Sequence, residues 1–222
     1  MKNITRVKVC CIKNIDEAKD AIRFGASAIG LVARMPRGPG PITDEEIKVI
    51  AEYAPPPIAT FLLTCETIVD EIVAHHNRVN TNTIQIVDAL SEEKYIELKE
   101  KLPGVKIVQV IHVIDEKSVE EAVRISELAD GLLLDSGNPN KAVKELGGTG
   151  RVHDWKLSRK IVKQSRVPVF LAGGLSPANV KQAIEEVQPF AVDLCSGVRT
   201  KGELDLKKLE EFFNVINKIN FI

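Results

Sequence analysis

The chain has 222 residues, 44% of them hydrophobic, with 30 lysines and arginines against 31 aspartates and glutamates. That length and apolar content suit a globular core, and the near-neutral balance without a run of one sign argues against nucleic acid or an anionic membrane as partner. The longest apolar runs are of strand length, far short of the roughly 20 residues of a membrane span, and MKNITRVKV has no secretory apolar segment. The expectation is a cytoplasmic protein whose partner is a small molecule.

Short β-branched runs alternate with longer amphipathic segments from end to end. Strands are predicted near 7–11 (VKVCC), 28–33 (AIGLVA), 58–64 (IATFLLT), 83–88 (TIQIVD), 106–113 (KIVQVIHV), 131–135 (GLLLD), 168–172 (PVFLA) and 191–195 (AVDLC). Intervening stretches such as IDEAKDAIRFGA, DEEIKVIAEYA, SVEEAVRISELA and NVKQAIEEVQ place apolar residues three and four apart, the spacing of one-faced helices. Eight such units, one per about 28 residues, predict an α/β fold of the closed parallel (β/α)8 (TIM) barrel type, a single domain over residues 1–222. A doubly wound open sheet is the rival, but no GxGxxG follows the first strand.

In a barrel the chemistry sits at the C-terminal ends of the strands, with a phosphate site after the seventh and eighth. The glycines fall there. AGGLSPANV (172–180) offers Gly173 and Gly174 for close backbone approach, with Ser176 and Pro177 as a helix cap and first-turn pair. SGVRTKGE (196–203) offers Ser196 and Gly197. Either these glycines merely turn the chain, or the two consecutive strand ends together bind phosphate. A third stretch, ELGGTGRVHDW (145–155), with Gly148 and Gly150, is either a plain connection or a cover over the ligand. His153, Asp154 and Trp155 at its end are expected to anchor the following helix.

Strand alternation sends Lys8, Cys10 and Ile12 one way and Val7, Val9 and Cys11 the other. The valines suit the helix layer, so Lys8 and Cys10 are expected inside the barrel and Cys11 outside as packing. The same logic turns Gly131, Leu133 and Asp135 inward. A cysteine and a carboxyl then face one pocket as candidate general base and general acid. Asp193 should lie beside Lys8 as a buried ion pair, and Lys8 should lower the Cys10 pKa. The four cysteines, 10, 11, 65 and 195, lack paired ligand spacing, and His75-His76 has no cysteine nearby, so no metal site is expected. His112, near the end of the fifth strand, is either a ligand contact or a satisfied rim histidine.

Along nearly the whole chain these motifs resemble the phosphoribosylanthranilate isomerase family. VKVCCIKN is similar to its V-K-I-C-G-I-T-N, LLLDS to L-L-D-T, GGTGRVHDW to G-G-S-G-K-x-x-D-W, and LAGGLSPANV and QPFAVDLCSGV also match. The resemblance implies Cys10 as general base and Asp135 as general acid. It implies a cofactor-free Amadori rearrangement of an N-linked ribosylamine 5-phosphate to a 1-amino-1-deoxyribulose 5-phosphate, in tryptophan biosynthesis. Gln85 keeps its family position, while Val87 and Asp88 replace the usual His-Gly pair. Cys11 stands where glycine is usual, and CSGVR, with Cys195 and Arg199, replaces S-S-G-V-E.

The family arginine after the second strand, suited to the anthranilate carboxylate, falls at Gly40-Pro41 within RMPRGPGPIT. Either Arg34, Arg37 or Arg199 supplies that guanidinium, or the substrate is a different N-substituted phosphoribosylamine. Other sugar-phosphate chemistry on the same barrel, and a barrel that only binds a phosphorylated metabolite, are the remaining alternatives. A monomer and a homodimer are both compatible with the sequence.

Overall fold

A computed structural model describes residues 4–35, 38–137 and 152–220. Eight strands close into a parallel barrel in sequence order: β1 (Arg6–Val9), β2 (Ala28–Val32), β3 (Ala59–Thr64), β4 (Thr83–Ile86), β5 (Lys106–His112), β6 (Gly131–Asp135), β7 (Val169–Leu171) and β8 (Ala191–Leu194). All eight predicted strands are present. The ring closes where β1 pairs with β8, Lys8 opposite Asp193 and Val9 opposite Leu194.

The outer layer is α1 (Ile15–Phe24), α2 (Asp44–Tyr53), α3 (Val69–Val79), α4 (Glu92–Lys101), α5 (Glu116–Ile125), α6 (Trp155–Gln164), α7 (Val180–Val187) and α8 (Leu206–Asn220). Local chemistry sets their starts. Asn14 accepts from Glu17 N at α1, Thr43 and Glu46 form a capping box at α2, and Asp115 and Ser118 form another at α5. Asp154 caps α6, His153 Nε2 meets Ser158 Oγ at 2.7 Å, and Trp155 packs on the core, so this trio anchors the helix as expected.

Two apolar layers result. The larger lies between strands and helices and takes Val7, Val9, Leu132, Leu134 and the α8 stripe Leu209, Phe212, Phe213 and Ile216. The smaller fills the barrel, with Ala28, Phe61, Leu63, Val108, Val110 and Leu133. Leu133 and its neighbours Leu132 and Leu134 divide between these layers as strand alternation requires. Beyond β8 a three-residue 3-10 turn (Ser196–Val198) leads into a small antiparallel hairpin, β9 (Arg199–Thr200) with β10 (Glu203–Leu204).

Two expectations fail locally. Ser176 does not cap α7: residues 177–179 form a turn, and the helix starts at Val180 with Asn179 before it. Asn179 instead folds back, its Oδ1 accepting from Ser176 N at 2.8 Å and its Nδ2 donating to Gly174 O at 2.9 Å. Ile12 belongs to the outer layer, not the barrel interior. β1 ends at Val9, and Cys11 has φ +62°, so alternation stops before Ile12.

Candidate active site

A pocket opens at the C-terminal ends of the strands, with Cys10, Cys11 and Asp135 on its walls and Gly173, Gly174 and Ser196 at its β7–β8 side. Cys10 directly follows β1, its N–H bonded to Leu194 O at 2.8 Å. Its thiol points into the barrel because β2 has no side chain at Gly30: a Cβ there would lie 2.7 Å from Cys10 Sγ and 3.1 Å from Lys8 Nζ. Gly30 is therefore a site residue that sequence reasoning missed. Asp135 ends β6, is 7% exposed, and its Oδ1 accepts from Ser136 N at 2.8 Å. The sequence-predicted base and acid thus share one cavity.

Below them Lys8 is fully buried, its ammonium 2.8 Å from Asp193 Oδ1 and 5.1 Å from the Phe61 ring centre. Burial opposes the Lys8 charge, but Asp193 and then Cys10 hold its pKa above the ordinary lysine value. Burial raises the Asp193 pKa, Lys8 pulls against that rise, and the charge of Asp135 adds to it. Asp193 reaches the pocket wall and Lys8 does not, so Lys8 acts from beneath.

The Cys10 pKa is lowered, as expected, but Lys8 is only the second reason. A hydrogen bond from Cys11 comes first, and together they outweigh burial. Cys11 is not outward packing: its thiol lines the pocket and meets Cys195 Sγ at 2.7 Å. Its own pKa is pushed well up by the contacts with Cys10 and Cys195 and by burial. The left-handed φ of Cys11 turns its side chain off the strand pattern, which also explains a glycine at this position in the resembling pattern.

The two glycine loops touch each other. Gly173 and Gly174 have φ +84° and +62°, and a Cβ on Gly197 would lie 1.9 Å from Leu175 O. Gly197 therefore sets the contact between the loops, while Gly173, Gly174 and Ser196 face the pocket. Gln85, at 3% exposure, also lines it, and its Oε1 has no hydrogen-bond partner among the described residues. His112 lies opposite Asp135 in the β5–β6 ladder and lines an adjoining depression with Val87 and Val110, with burial depressing its pKa.

The candidate arginines fare differently. Arg34 is exposed and does not line the pocket. Arg199 is buried against Glu17, each of its two Nη atoms 2.9 Å from a carboxylate oxygen, and it also donates to the Cys11 carbonyl. Burial pushes the Glu17 pKa up, but Arg199 holds it below the ordinary carboxylate value. Arg199 therefore braces the β1–α1 turn and is not available for a substrate carboxylate. Arg37, Gly148 and Gly150 lie outside the described residues.

A family model described as N-(5'phosphoribosyl)anthranilate (PRA) isomerase matches residues 7–215. The chain belongs to the phosphoribosylanthranilate isomerase family. The N-(5'-phosphoribosyl)anthranilate isomerase of Methanocella arvoryzae is 34% identical, covering 96% of this chain and 98% of its own. N-(5'-phosphoribosyl)anthranilate isomerase 2 of Methanosarcina mazei is 35% identical, covering 93% and 92%. Among solved structures, the phosphoribosyl anthranilate isomerase of Thermotoga maritima is 28% identical with a TM-score of 0.81 over 96% of this chain and 99% of that one. Another, a phosphoribosyl anthranilate isomerase in complex with reduced 1-(o-carboxyphenylamino)-1-deoxyribulose 5-phosphate, is 27% identical with a TM-score of 0.78 at the same coverages.

Against the phosphoribosylanthranilate isomerase pattern, two departures form one packing arrangement. Gly40, in the Gly40-Pro41 pair that stands at the pattern's arginine, has φ +71°; a Cβ on it would lie 2.9 Å from Cys11 Cβ. The side chain added at 11 occupies space that a side chain at 40 would need. The pocket wall on this side is Val32, Met35 and Pro39. Among the described residues, no group of three or more His, Cys, Asp or Glu is arranged to hold a metal ion, and no helix is long and apolar enough to cross a membrane.

Proposed function

We propose that this chain catalyses the Amadori rearrangement of N-(5-phosphoribosyl)anthranilate to 1-(o-carboxyphenylamino)-1-deoxyribulose 5-phosphate, the isomerisation of tryptophan biosynthesis, with Cys10 as base and Asp135 as acid. The observation that carries it is the meeting of these two side chains in one pocket beside the β7–β8 glycine loops. Asp135 protonates the ribose ring oxygen, the C1–O bond breaks, and the anilino nitrogen lone pair forms the C1 iminium. The Cys10 thiolate removes the C2 proton, giving an enolamine that tautomerises to the ketone.

The contact with Cys11 and the charge of Lys8 lower the Cys10 pKa against the opposing effect of burial, which favours its use as a base. The 5-phosphate is held by Ser196 and the backbone of Gly173 and Gly174, with Gly197 fixing the distance between the loops. This binding lies away from C1 and C2 and serves to orient them. Gln85 Oε1, buried and without a partner among the described residues, is suited to accept from a ribose hydroxyl. No step requires a cofactor.

Among the described residues the wall on this side is the apolar Val32, Met35 and Pro39, and Arg199 is committed to Glu17, which favours a second reading in which the N-substituent carries no carboxylate. The test supplies phosphoribosylanthranilate generated in situ and follows loss of its fluorescence. Turnover by the wild-type chain is expected. Absence of turnover, with turnover of a carboxylate-free N-aryl phosphoribosylamine, would transfer the assignment to the second reading.

A further inference from the structure

Cys11 and Cys195 are used by no step of the proposed reaction, yet they are a matched pair. They lie 184 positions apart, on the β1–α1 turn and at the end of β8, with their sulfur atoms 2.7 Å apart at the pocket wall. Both are free thiols; Cys11 is buried, and Cys195 is partly exposed. The resembling pattern has glycine and serine at these positions, so the pair is a departure shared by two distant segments. Cys10 faces the same pocket but is the immediate chain neighbour of Cys11, and a disulfide between adjacent residues must close a small ring containing their peptide bond, against its planar trans preference.

We propose that Cys11 and Cys195 form a reversible oxidation site: exchange with a low-molecular-weight disulfide such as oxidised glutathione cross-links the two loops and switches the pocket off. The Cys195 thiolate, on the side reached from solvent, attacks one sulfur of the reagent; its S–S bond breaks and one thiolate leaves. Cys11 then attacks Cys195 Sγ in the mixed disulfide, giving up its proton to the departing sulfur, and the second thiol leaves. The two cysteine protons end on the two released thiols. Two protein thiols are oxidised by two electrons and one reagent disulfide is reduced to two thiols.

The consequence for chemistry follows from the geometry. Cys11 is the chain neighbour of Cys10, and both line the pocket with Cys195 and Ser196. A covalent bond draws the two sulfur atoms closer than their present 2.7 Å, ties the β1–α1 turn to the end of β8 and so shifts the adjacent Cys10 thiol from its place opposite Gly30.

The effect on activity rests on the proposed isomerisation, but the cross-link does not, and the two are read separately. The full chain is incubated with oxidised glutathione or with dithiothreitol, alkylated without reduction, digested and analysed by mass spectrometry. The expected product joins peptide 9–13 to the Cys195 peptide, with fragment ions placing the link on Cys11. Two of the four thiols disappear, and the product is absent from Cys11→Gly and Cys195→Ser proteins. Oxidation should lower kcat/KM at neutral pH by about tenfold or more, within the range a general base contributes. Dithiothreitol should restore it, and Cys195→Ser should keep its own untreated rate. A link through Cys10 or Cys65, four unchanged thiols, or equal inactivation of Cys195→Ser would each overturn the proposal.

Discussion

Replacing Gly30 by alanine separates the fold from the chemistry. The added Cβ would stand 2.7 Å from Cys10 Sγ and 3.2 Å from Cys10 Cα. A relaxed carbon–sulfur contact needs about 1 Å more than the first distance, given optimal non-bonded separations of roughly 3.5–4 Å. The thiol hangs on one rotatable bond, so it yields by turning out of its position, while the adjacent backbone moves by a few tenths of an ångström. Overpacking of this kind typically costs about 1–3 kcal/mol, and the low end is expected because the clashing atom can rotate. A 1 Å misplacement of a reacting group, by contrast, costs on the order of 10²-fold in rate. The assay is kcat by fluorescence loss alongside thermal unfolding. Gly30→Ala should lose about 10²-fold in kcat while remaining folded. A protein with wild-type kcat and lowered stability would refute the claim that Gly30 makes room for a working thiol.

Other substitutions probe the remaining contacts. Gly197→Ala drives a Cβ to 1.9 Å from Leu175 O, a backbone atom that no side-chain rotation can move aside, so the loops must part. KM should rise more than kcat falls, by about tenfold, and inorganic phosphate should compete more weakly. Cys11→Gly relieves a left-handed backbone at the loss of a small buried side chain, so stability should change by less than about 1 kcal/mol. Its pH profile should move, however: without the Cys11 donor the Cys10 pKa rises, and the alkaline-rising limb of kcat/KM shifts to higher pH. An unmoved limb would remove Cys11 from the account. Lys8→Met should also raise the Cys10 pKa, read by thiol titration, and leaves Asp193 buried without its counter-ion. The cost is about 3–5 kcal/mol in urea unfolding, and a matching Asp193→Asn change should recover part of it.

The strand positions were readable because alternation and helical spacing are local. Leu132, Leu133 and Leu134 alone show which face of β6 is which. Cys10, Asp135, Lys8 and Asp193 followed from the same alternation, and their meeting followed from ring closure. Cys11 did not, because a positive φ in a non-glycine residue leaves no mark in a run such as VKVCCIKN. The glycine of the resembling pattern was the available sign of it. Gly30 was invisible because its importance is the absence of a side chain across from Cys10 on the neighbouring strand. Arg199 was counted as a candidate carboxylate ligand because its partner Glu17 lies 182 positions away. Ser176 read as a cap because Ser-Pro is an ordinary helix start, but the Asn179 side chain closed a turn first.

The proposed roles of Cys10 and Asp135 as base and acid of one pocket are tested by measuring kcat on phosphoribosylanthranilate for Cys10→Ala and Asp135→Asn beside the wild-type chain, with unfolding curves to establish that all three are folded. Each variant should lose at least about 10²–10⁴-fold, as removal of a general base or acid does. A folded Cys10→Ala or Asp135→Asn protein that turns over at the wild-type rate would contradict those roles.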